Sequence, residues 1–334
     1  MKAVVLVGGT GTRLRPLTYA TPKPLLPIAN VPFLERQLQW LADYGVDEAV
    51  LSLGYMPDAF TEHFGDERFG DMKLRFVVEH EPLGTAGGIR FAAVGINERV
   101  LVCNGDVLTD LDLAAFVAFH EARGAEATIS LARVDDPSAF GVVPTRDDGE
   151  VIAFVEKPPR EQAPTNWINA GTYVLEPSVL SSIPPRLNVS IERETFPRML
   201  ERPGRLYAMR SDGYWLDIGT PAKYFEAHLD VLAGKLGLPP IAGAVELSPG
   251  VWVEPGAIVD DTAALEAPVL IGEGARVASG ARVAHSVLGA RAVVESGASV
   301  IDSVVLPGVR VLAGEVIDGV VLGPDVRLEV KGTA

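Results

Sequence analysis

The stretch Leu6-Val7-Gly8-Gly9-Thr10-Gly11-Thr12-Arg13-Leu14-Arg15-Pro16, continued by Leu17-Thr18-Tyr19-Ala20-Thr21-Pro22-Lys23-Pro24, decides how this chain is read. It leaves the run Lys2-Ala3-Val4-Val5-Leu6-Val7, apolar after its first residue, which predicts a buried first strand. Gly8, Gly9 and Gly11 then free the backbone of side chains where that strand ends, so several N–H groups can face one anion. Arg13 and Arg15 add fixed positive charge, and Lys23 sits between two prolines that hold its backbone extended. A glycine turn with convergent cations after a first strand is a polyphosphate site.

Two familiar glycine motifs are excluded. A Walker loop needs Lys directly after its last glycine, and none stands there. The dinucleotide fingerprint needs a third glycine where this chain has Leu14.

Working outward, residues 1–235 alternate strand-like runs with helical ones. Val4–Val7, Ala49–Leu53, Leu74–Val78 and Val100–Cys103 read as short strands. Phe33–Tyr44, with Phe33, Leu34, Leu38 and Leu41 on one face, and Pro57–Phe64 read as helices. The alternation predicts an α/β domain, a mostly parallel Rossmann-like sheet with ligands at the carboxyl ends of its strands. Residues 236–243, LGLPPIAG, read as a linker. Beyond it, over 244–330, apolar residues recur about every sixth position: Ile271, Val277 and Val283, then Val294 and Val300, then Val305 and Val311, with slips near Leu288 and Val305. That register predicts hexapeptide repeats of a short left-handed parallel β-helix, with a β-sandwich as the alternative.

The 334 residues, 48% hydrophobic and 22% charged, suffice for two domains. One cysteine excludes a disulfide framework and, with no signal-peptide pattern and no run of membrane-spanning length, points to a cytoplasmic protein without a membrane partner. A net charge of −15 leaves no basic stripe for nucleic acid, while small phosphates need only a few placed cations and Mg²⁺.

The pattern GGxGTRLxPLTxxxPKP over residues 8–24 resembles the signature of the sugar-1-phosphate nucleotidyltransferases, and a β-helix after it is a layout of that family. The resemblance implies transfer of a nucleotidyl group from an NTP to a hexose-1-phosphate with release of pyrophosphate, and Mg²⁺ as cofactor. It implies nucleotide contacts from Leu6, Gly8, Gly9, Gly11 and Thr12. Arg13 would hold the β- and γ-phosphates, and Lys23 the α-phosphate. Asp106, in Asn104-Gly105-Asp106, and Asp217, in Trp215-Leu216-Asp217, would be the catalytic, metal-binding carboxylates. Glu81, with Gly84 and Thr85 in the run Glu81-Pro82-Leu83-Gly84-Thr85-Ala86-Gly87, resembles the base-reading element of mannose-1-phosphate guanylyltransferases. A carboxylate there suits the N1–H and N2–H donors of guanine. Glu156 and Lys157 resemble the sugar-phosphate element. Gly141 and Asn169 with Gly171 resemble segments lining the hexose, and Glu192, after Ser190, would shape the same pocket. For Ser190 a helix-capping role is the alternative.

The base and hexose leave UDP-glucose or dTDP-glucose formation, or broad specificity, as alternatives to GDP-mannose. A silent regulatory subunit is a further one, set aside because Arg13, Lys23, Asp106 and Asp217 are all present. A homo-oligomer is expected, since an exposed β-helix edge is a ready pairing surface. His285 in the coil reads as a surface histidine and Cys103 as a buried packing residue.

Overall fold

The opening apolar run folds as strand β1 (Lys2–Leu6), whose Ala3, Val4 and Val5 are fully buried. In this computed structural model, which describes residues 1–65, 67–237, 241 and 243–330, β1 lies between two parallel partners. These are β2 (Glu48–Leu53) and, further along the chain, β4 (Val100–Asn104). Between them in sequence, β3 (Met72–Val78) adds parallel to β2. Their Val- and Leu-rich composition suits strands covered on both faces.

The chain thus builds outward from β1 to β3 and returns on β1's other side with β4. The carboxyl ends of β1 and β4 therefore form the point where strand order reverses, the place where open α/β sheets bind ligands. The remaining strands are β5 (Ala127–Arg133), β6 (Trp167–Leu175) and β7 (Leu206–Ser211). β6 runs antiparallel to both β4 and β5, and β7 parallel to β5. The helices α1 (Phe33–Asp43) and Pro57–His63 match the periodic runs to within a residue. Leu34, Leu38 and Leu41 form the fully buried face of α1. Helices α2 (Gly84–Ala92) and α3 (Leu113–Arg123) follow, α3 capped by Asp112, whose carboxylate accepts from Ala115 N–H.

Packing divides the chain differently from a single linear boundary. One compact unit comprises Met1–Thr10 and Leu34–Trp215; the other comprises Gly11–Phe33 and the chain from Leu216 onward. The expected linker falls partly on residues 238–240 and 242, outside the described residues.

In the second unit the chain from Val251 winds as a parallel β-helix with three faces. One stacks Val251–Val253 on Val269–Ile271 and then residues 286–288, 304–305 and 321–322. The second stacks Ile258–Val259, Arg276–Val277, Val293–Val294 and Arg310–Val311. The third stacks residues 264–266, 282–284, 299–301 and 316–318. Inward residues Ile271, Val277, Val283, Leu288, Val294, Val300, Val305, Val311 and Ile317 form one buried core. Their spacing explains the slips in the sequence register. Steps are six, six and then five residues, because one corner is a residue shorter in each coil after the first. At that corner Ala267 and Pro268 of the first coil face the single residue His285 of the next. His285, Asp302 and Gly319 occupy successive copies of it, all with left-handed φ of 46°, 46° and 65°. Inside the same corner Ser303 N–H donates to Ser286 Oγ at 3.0 Å, and Val320 N–H to Ser303 Oγ at 3.1 Å.

Candidate active site

In the α/β unit three strand ends converge. The N–H of Gly105, just beyond β4, donates to the carbonyl of Leu6 at 2.9 Å. A Cβ on Gly105 would stand 2.5 Å from Val7 Cγ1 and 2.6 Å from Leu6 O, so only glycine lets the two strand ends close. Gly8 lies less tightly against the backbone of Gly54 beyond β2, a Cβ there standing 3.3 Å from Gly54 N. Asp106 is thereby fixed directly after the close approach of β4 to β1. Along the loop itself, none of the backbone N–H groups of residues 8–13 donates to a protein acceptor among the described residues. Consecutive unengaged amides beside Arg13 are the donors an anion requires.

The run from Glu79 to Gly88 is anchored from below. Glu79 accepts from Ser52 Oγ at 2.7 Å and from Leu83 N–H at 3.2 Å, tying the loop to the end of β2. Glu79 carries no signal in the sequence beyond its place two residues before Glu81. Glu81 is exposed. Gly84 has a φ of +68°, and a Cβ there would stand 2.6 Å from Val189 O. Segment 187–189 crosses this loop, with Ala86 N–H donating to Val189 O and Val189 N–H to Leu83 O. Thr85 Oγ1 donates to Glu192 Oε2 at 2.8 Å and accepts from Ile191 N–H at 2.8 Å. The structure thus joins Thr85 of the base run to Glu192 of the hexose set. Ser190 Oγ donates to the same Glu192 oxygen and accepts from Arg193 N–H, the capping role weighed for it.

The hexose-lining candidates lie in the same unit. Gly141 pairs with Glu156 across two short antiparallel strands. Glu156 Oε1 stands 3.8 Å from Lys157 Nζ and 3.5 Å from Arg193, a cation outside the motifs read in the sequence. Asn169 is held on both ends, its Nδ2 donating to Tyr173 Oη at 2.8 Å and its Oδ1 accepting from Gly171 N–H at 3.0 Å. These contacts span an irregularity in β6 between Asn169 and Tyr173. Burial, aided by the Glu192 charge, pushes the Tyr173 phenol well above its usual range, so it stays neutral. Burial likewise raises the Cys103 thiol, which fits packing and not nucleophilic attack.

In the second unit the signature segment folds back on itself. Gly11 is left-handed, and Thr18 Oγ1 donates to its carbonyl at 2.9 Å. Lys23 lines a small apolar recess with Leu14, Leu26 and Ile218, leaving its side chain 11% exposed. Its Nζ stands 4.0 Å from Asp217 Oδ1, so two expected catalytic groups meet here. Arg13 begins a short turn with Thr12, and its guanidinium lies so close to Gly219 that a Cβ there would stand 2.6 Å from Nη2. Gly219 was visible in the sequence two residues after Asp217, but without a reason for its smallness. Arg15 stacks over Tyr19 at 5.1 Å.

The same unit fixes the hairpin Pro27–Ile28/Val31–Pro32 that follows Lys23. Tyr224 Oη, on helix α4 (Pro221–Leu232), donates to Pro27 O at 2.6 Å, and Ala29 N–H donates to His228 Nδ1 at 3.0 Å. Asn30 Nδ2 donates to the buried Glu254 at 2.7 Å and to Leu288 O at 3.0 Å, inside the β-helix.

As for a metal, Asp106 in the α/β unit and Asp217 in the second unit are each hard carboxylate oxygen donors, the chemistry that small divalent cations take. No helix among the described residues is long and apolar enough to cross a membrane.

Comparison with known proteins accords with this geometry. Residues 2–234 match the Nucleotidyl transferase family, and residues 259–333 match the family described as GlmU-like, C-terminal hexapeptide. A mannose-1-phosphate guanylyltransferase of Mycobacterium tuberculosis is 44% identical over 243 residues, 72% of this chain and 67% of that one. Mannose-1-phosphate guanylyltransferase 1 of Arabidopsis thaliana is 44% identical over 244 residues, covering 70% and 66% of the two chains. The chain thus spans about two thirds of the length of these relatives. Among solved structures, HddC from Yersinia pseudotuberculosis, one form of which is complexed with GMP-PN, is 32% identical. Its uncomplexed form has a TM-score of 0.60 and covers 68% of this chain and 97% of its own. The glycine turn, the paired Lys23 and Asp217 and these matches lead to one conclusion: the chain is an enzyme of the nucleotidyl transferase family carrying a C-terminal hexapeptide-repeat β-helix.

Proposed function

We propose that this enzyme transfers a guanylyl group from GTP to mannose-1-phosphate, releasing pyrophosphate and forming GDP-mannose. The observation that carries the reading is the 44% identity over 243 residues to an enzyme named for that reaction. The complete set of Arg13, Lys23, Asp106 and Asp217 supports an active enzyme over a silent subunit.

An oxygen of the sugar phosphate attacks the α-phosphorus of GTP. The new P–O bond forms as the bond from that phosphorus to the bridging oxygen breaks, and pyrophosphate departs with the electron pair. The nucleophile needs no strong base, because a phosphate monoester already carries about −1.5 to −2 charge at pH 7. The barrier lies in aligning two polyanions, so positioning and charge neutralisation do the work. In this reading the free amides of residues 8–13 and Arg13 hold the β- and γ-phosphates. Lys23 neutralises the α-phosphate, its apolar recess keeping water from the ammonium. Glu81 reads the guanine edge, while Glu156, Lys157, Gly141, Asn169, Gly171 and Glu192 form the hexose side. The family generally uses a divalent metal, and we assign Mg²⁺, with Asp106 and Asp217 as its protein ligands. When bound, such an ion neutralises phosphate charge.

The test is pyrophosphate release with Mg²⁺ over GTP, UTP, dTTP, ATP and CTP, each with mannose- and glucose-1-phosphate. Release restricted to GTP with mannose-1-phosphate is expected; preference for UTP or dTTP with glucose-1-phosphate overturns the specificity. In Glu81→Gln, GTP use should fall more than UTP use, and an equal loss removes Glu81 from base reading. Cytoplasmic location and self-association belong to the same reading. The strand Val245–Ser248 at the start of the coil is exposed throughout, with Val245 and Leu247 pointing an apolar edge outward. Light scattering coupled to size exclusion decides between monomer and oligomer.

A further inference from the structure

A cavity of about 240 Å³ opens in the α/β unit beside helix Pro177–Ser182, and none of its lining residues belongs to the substrate groups assigned above. Three guanidiniums line it, Arg198, Arg202 and Arg205, on a chain whose net charge is −15. Two have partners of their own: Arg205 pairs with Glu126, and Arg198 stands 3.7 Å from Glu194. Arg202 makes no ion pair or side-chain hydrogen bond among the described residues. A second, independent observation is Thr195, which is 7% exposed and lines the same cavity. Its hydroxyl makes no hydrogen bond among the described residues and is open to the cavity. Arg202 is exposed and, like the Thr195 hydroxyl, is open to a ligand.

We propose that this cavity is a second ligand site, for a phosphate monoester of sugar size. The fork of a guanidinium matches phosphate oxygens in pairs, which favours phosphate as the anion. Ser178 on the helix offers a hydroxyl, Ser182, whose hydroxyl donates to Val179 O, can only accept, and Glu126 offers acceptor oxygens, for a polyhydroxylated body. The volume lies below the roughly 300–1,000 Å³ of sites for drug-sized ligands, so a nucleotide is too large. Occupancy should also be felt by the hexose pocket, a consequence that rests on the reading of Glu192 given above. Thr195 ends the turn Ile191–Thr195 that carries Glu192, and Arg198 lies on the helix that continues it. A ligand held by both biases how Glu192 meets Thr85.

Calorimetric titration tests the site without any turnover. The probe is glucose 6-phosphate, which has the phosphate and hydroxyls but no 1-phosphate, with inorganic phosphate as a second probe. Wild type and Lys23→Ala should bind glucose 6-phosphate alike. Arg202→Gln should bind at least tenfold more weakly, and Thr195→Val and the rim variant Ser178→Ala several-fold more weakly. Inorganic phosphate should bind the same site less tightly. The proposal fails if folded wild type binds neither probe at millimolar concentration, or if Arg202→Gln binds normally. Loss of binding in Lys23→Ala would assign the heat to the substrate site instead. Phosphate binding as tightly as glucose 6-phosphate would remove the sugar from the assignment.

Discussion

The loop after β1 and the short corner of the β-helix treat their backbone donors in opposite ways. Along residues 8–13 no N–H finds a protein acceptor among the described residues. At the coil corner Ser286 and Ser303 place hydroxyls inside the turn, and the N–H groups of Ser303 and Val320 donate to them. Both regions bend a chain leaving a strand, and both must satisfy the same backbone chemistry. The corner does so internally and serves stability. The loop leaves its donors open to solvent, and on the proposed function a nucleotide takes them. Open donors beside fixed cations distinguish a binding turn from a structural one.

The largest effect should come from removing a cation of the binding loop. Lys23→Ala takes away the ammonium beside Asp217 and should lower turnover by about 10²–10³-fold, as loss of one transition-state charge partner does elsewhere. Its melting temperature should stay near that of wild type. Near-normal turnover in steady-state assays would break the contrast, because the loop's charges would then have no chemical part.

A pair of glycines sharpens it next. Gly84 and Gly297 have almost the same left-handed φ, 68° and 69°. A Cβ on Gly297 would meet nothing within 4 Å, whereas one on Gly84 would collide with Val189 O at 2.6 Å. Alanine at Gly297 should cost only the backbone term, about 1–2 kcal/mol. At Gly84 a further steric cost of about 1–3 kcal/mol is expected, together with displacement of the base loop. Chemical denaturation of both variants measures the difference. Equal losses would mean that segment 187–189 yields freely and does not define the loop.

Much of this architecture was legible beforehand, and the reasons are local. The first four strands and the helices Phe33–Asp43 and Pro57–His63 are uninterrupted apolar or amphipathic runs, so periodicity found them within a residue or two. The coil was legible through its inward Val and Leu residues, and even its slips proved real, marking the corner that is one residue shorter. What the sequence concealed is long-range. Nothing near Gly11 announces that residues 11–33 pack with the chain from Leu216 onward. Gly219 as the wall behind Arg13 likewise depends on a folded approach that no spacing encodes; Tyr173 as the partner of Asn169 is local, four residues on, but rests on the irregularity in β6 between them. Glu79 was hidden for a different reason: an acidic residue in an acidic stretch resembles a solvated one until its two hydrogen bonds appear.

The corner itself supplies a smaller test. Ser303→Ala removes the acceptor of Val320 N–H in a fully buried place, which should cost about 1–3 kcal/mol. Turnover measured well below the melting temperature should not change, since the hydroxyl serves only the turn. A parallel loss of turnover with stability intact would show that the coil's corners are not purely structural.

The finest distinction lies at Glu192, where a polar cluster of the structural kind sits among residues assigned to substrate. Thr85 Oγ1 and Ser190 Oγ both donate to one oxygen, Glu192 Oε2. Glutamine keeps an acceptor at that place and removes only the charge, whereas alanine releases both hydroxyls. If Glu192 acts by holding Thr85 and the turn in position, Glu192→Gln should leave the KM for mannose-1-phosphate nearly unchanged. Glu192→Ala should then raise it about tenfold, equivalent to the roughly 1–1.5 kcal/mol of one hydrogen bond, with kcat little altered. If the carboxylate itself meets the sugar as a charge, the two variants should be equally impaired. The ratio of the two KM values therefore decides whether this cluster belongs with the self-satisfied corners of the coil or with the open loop after β1.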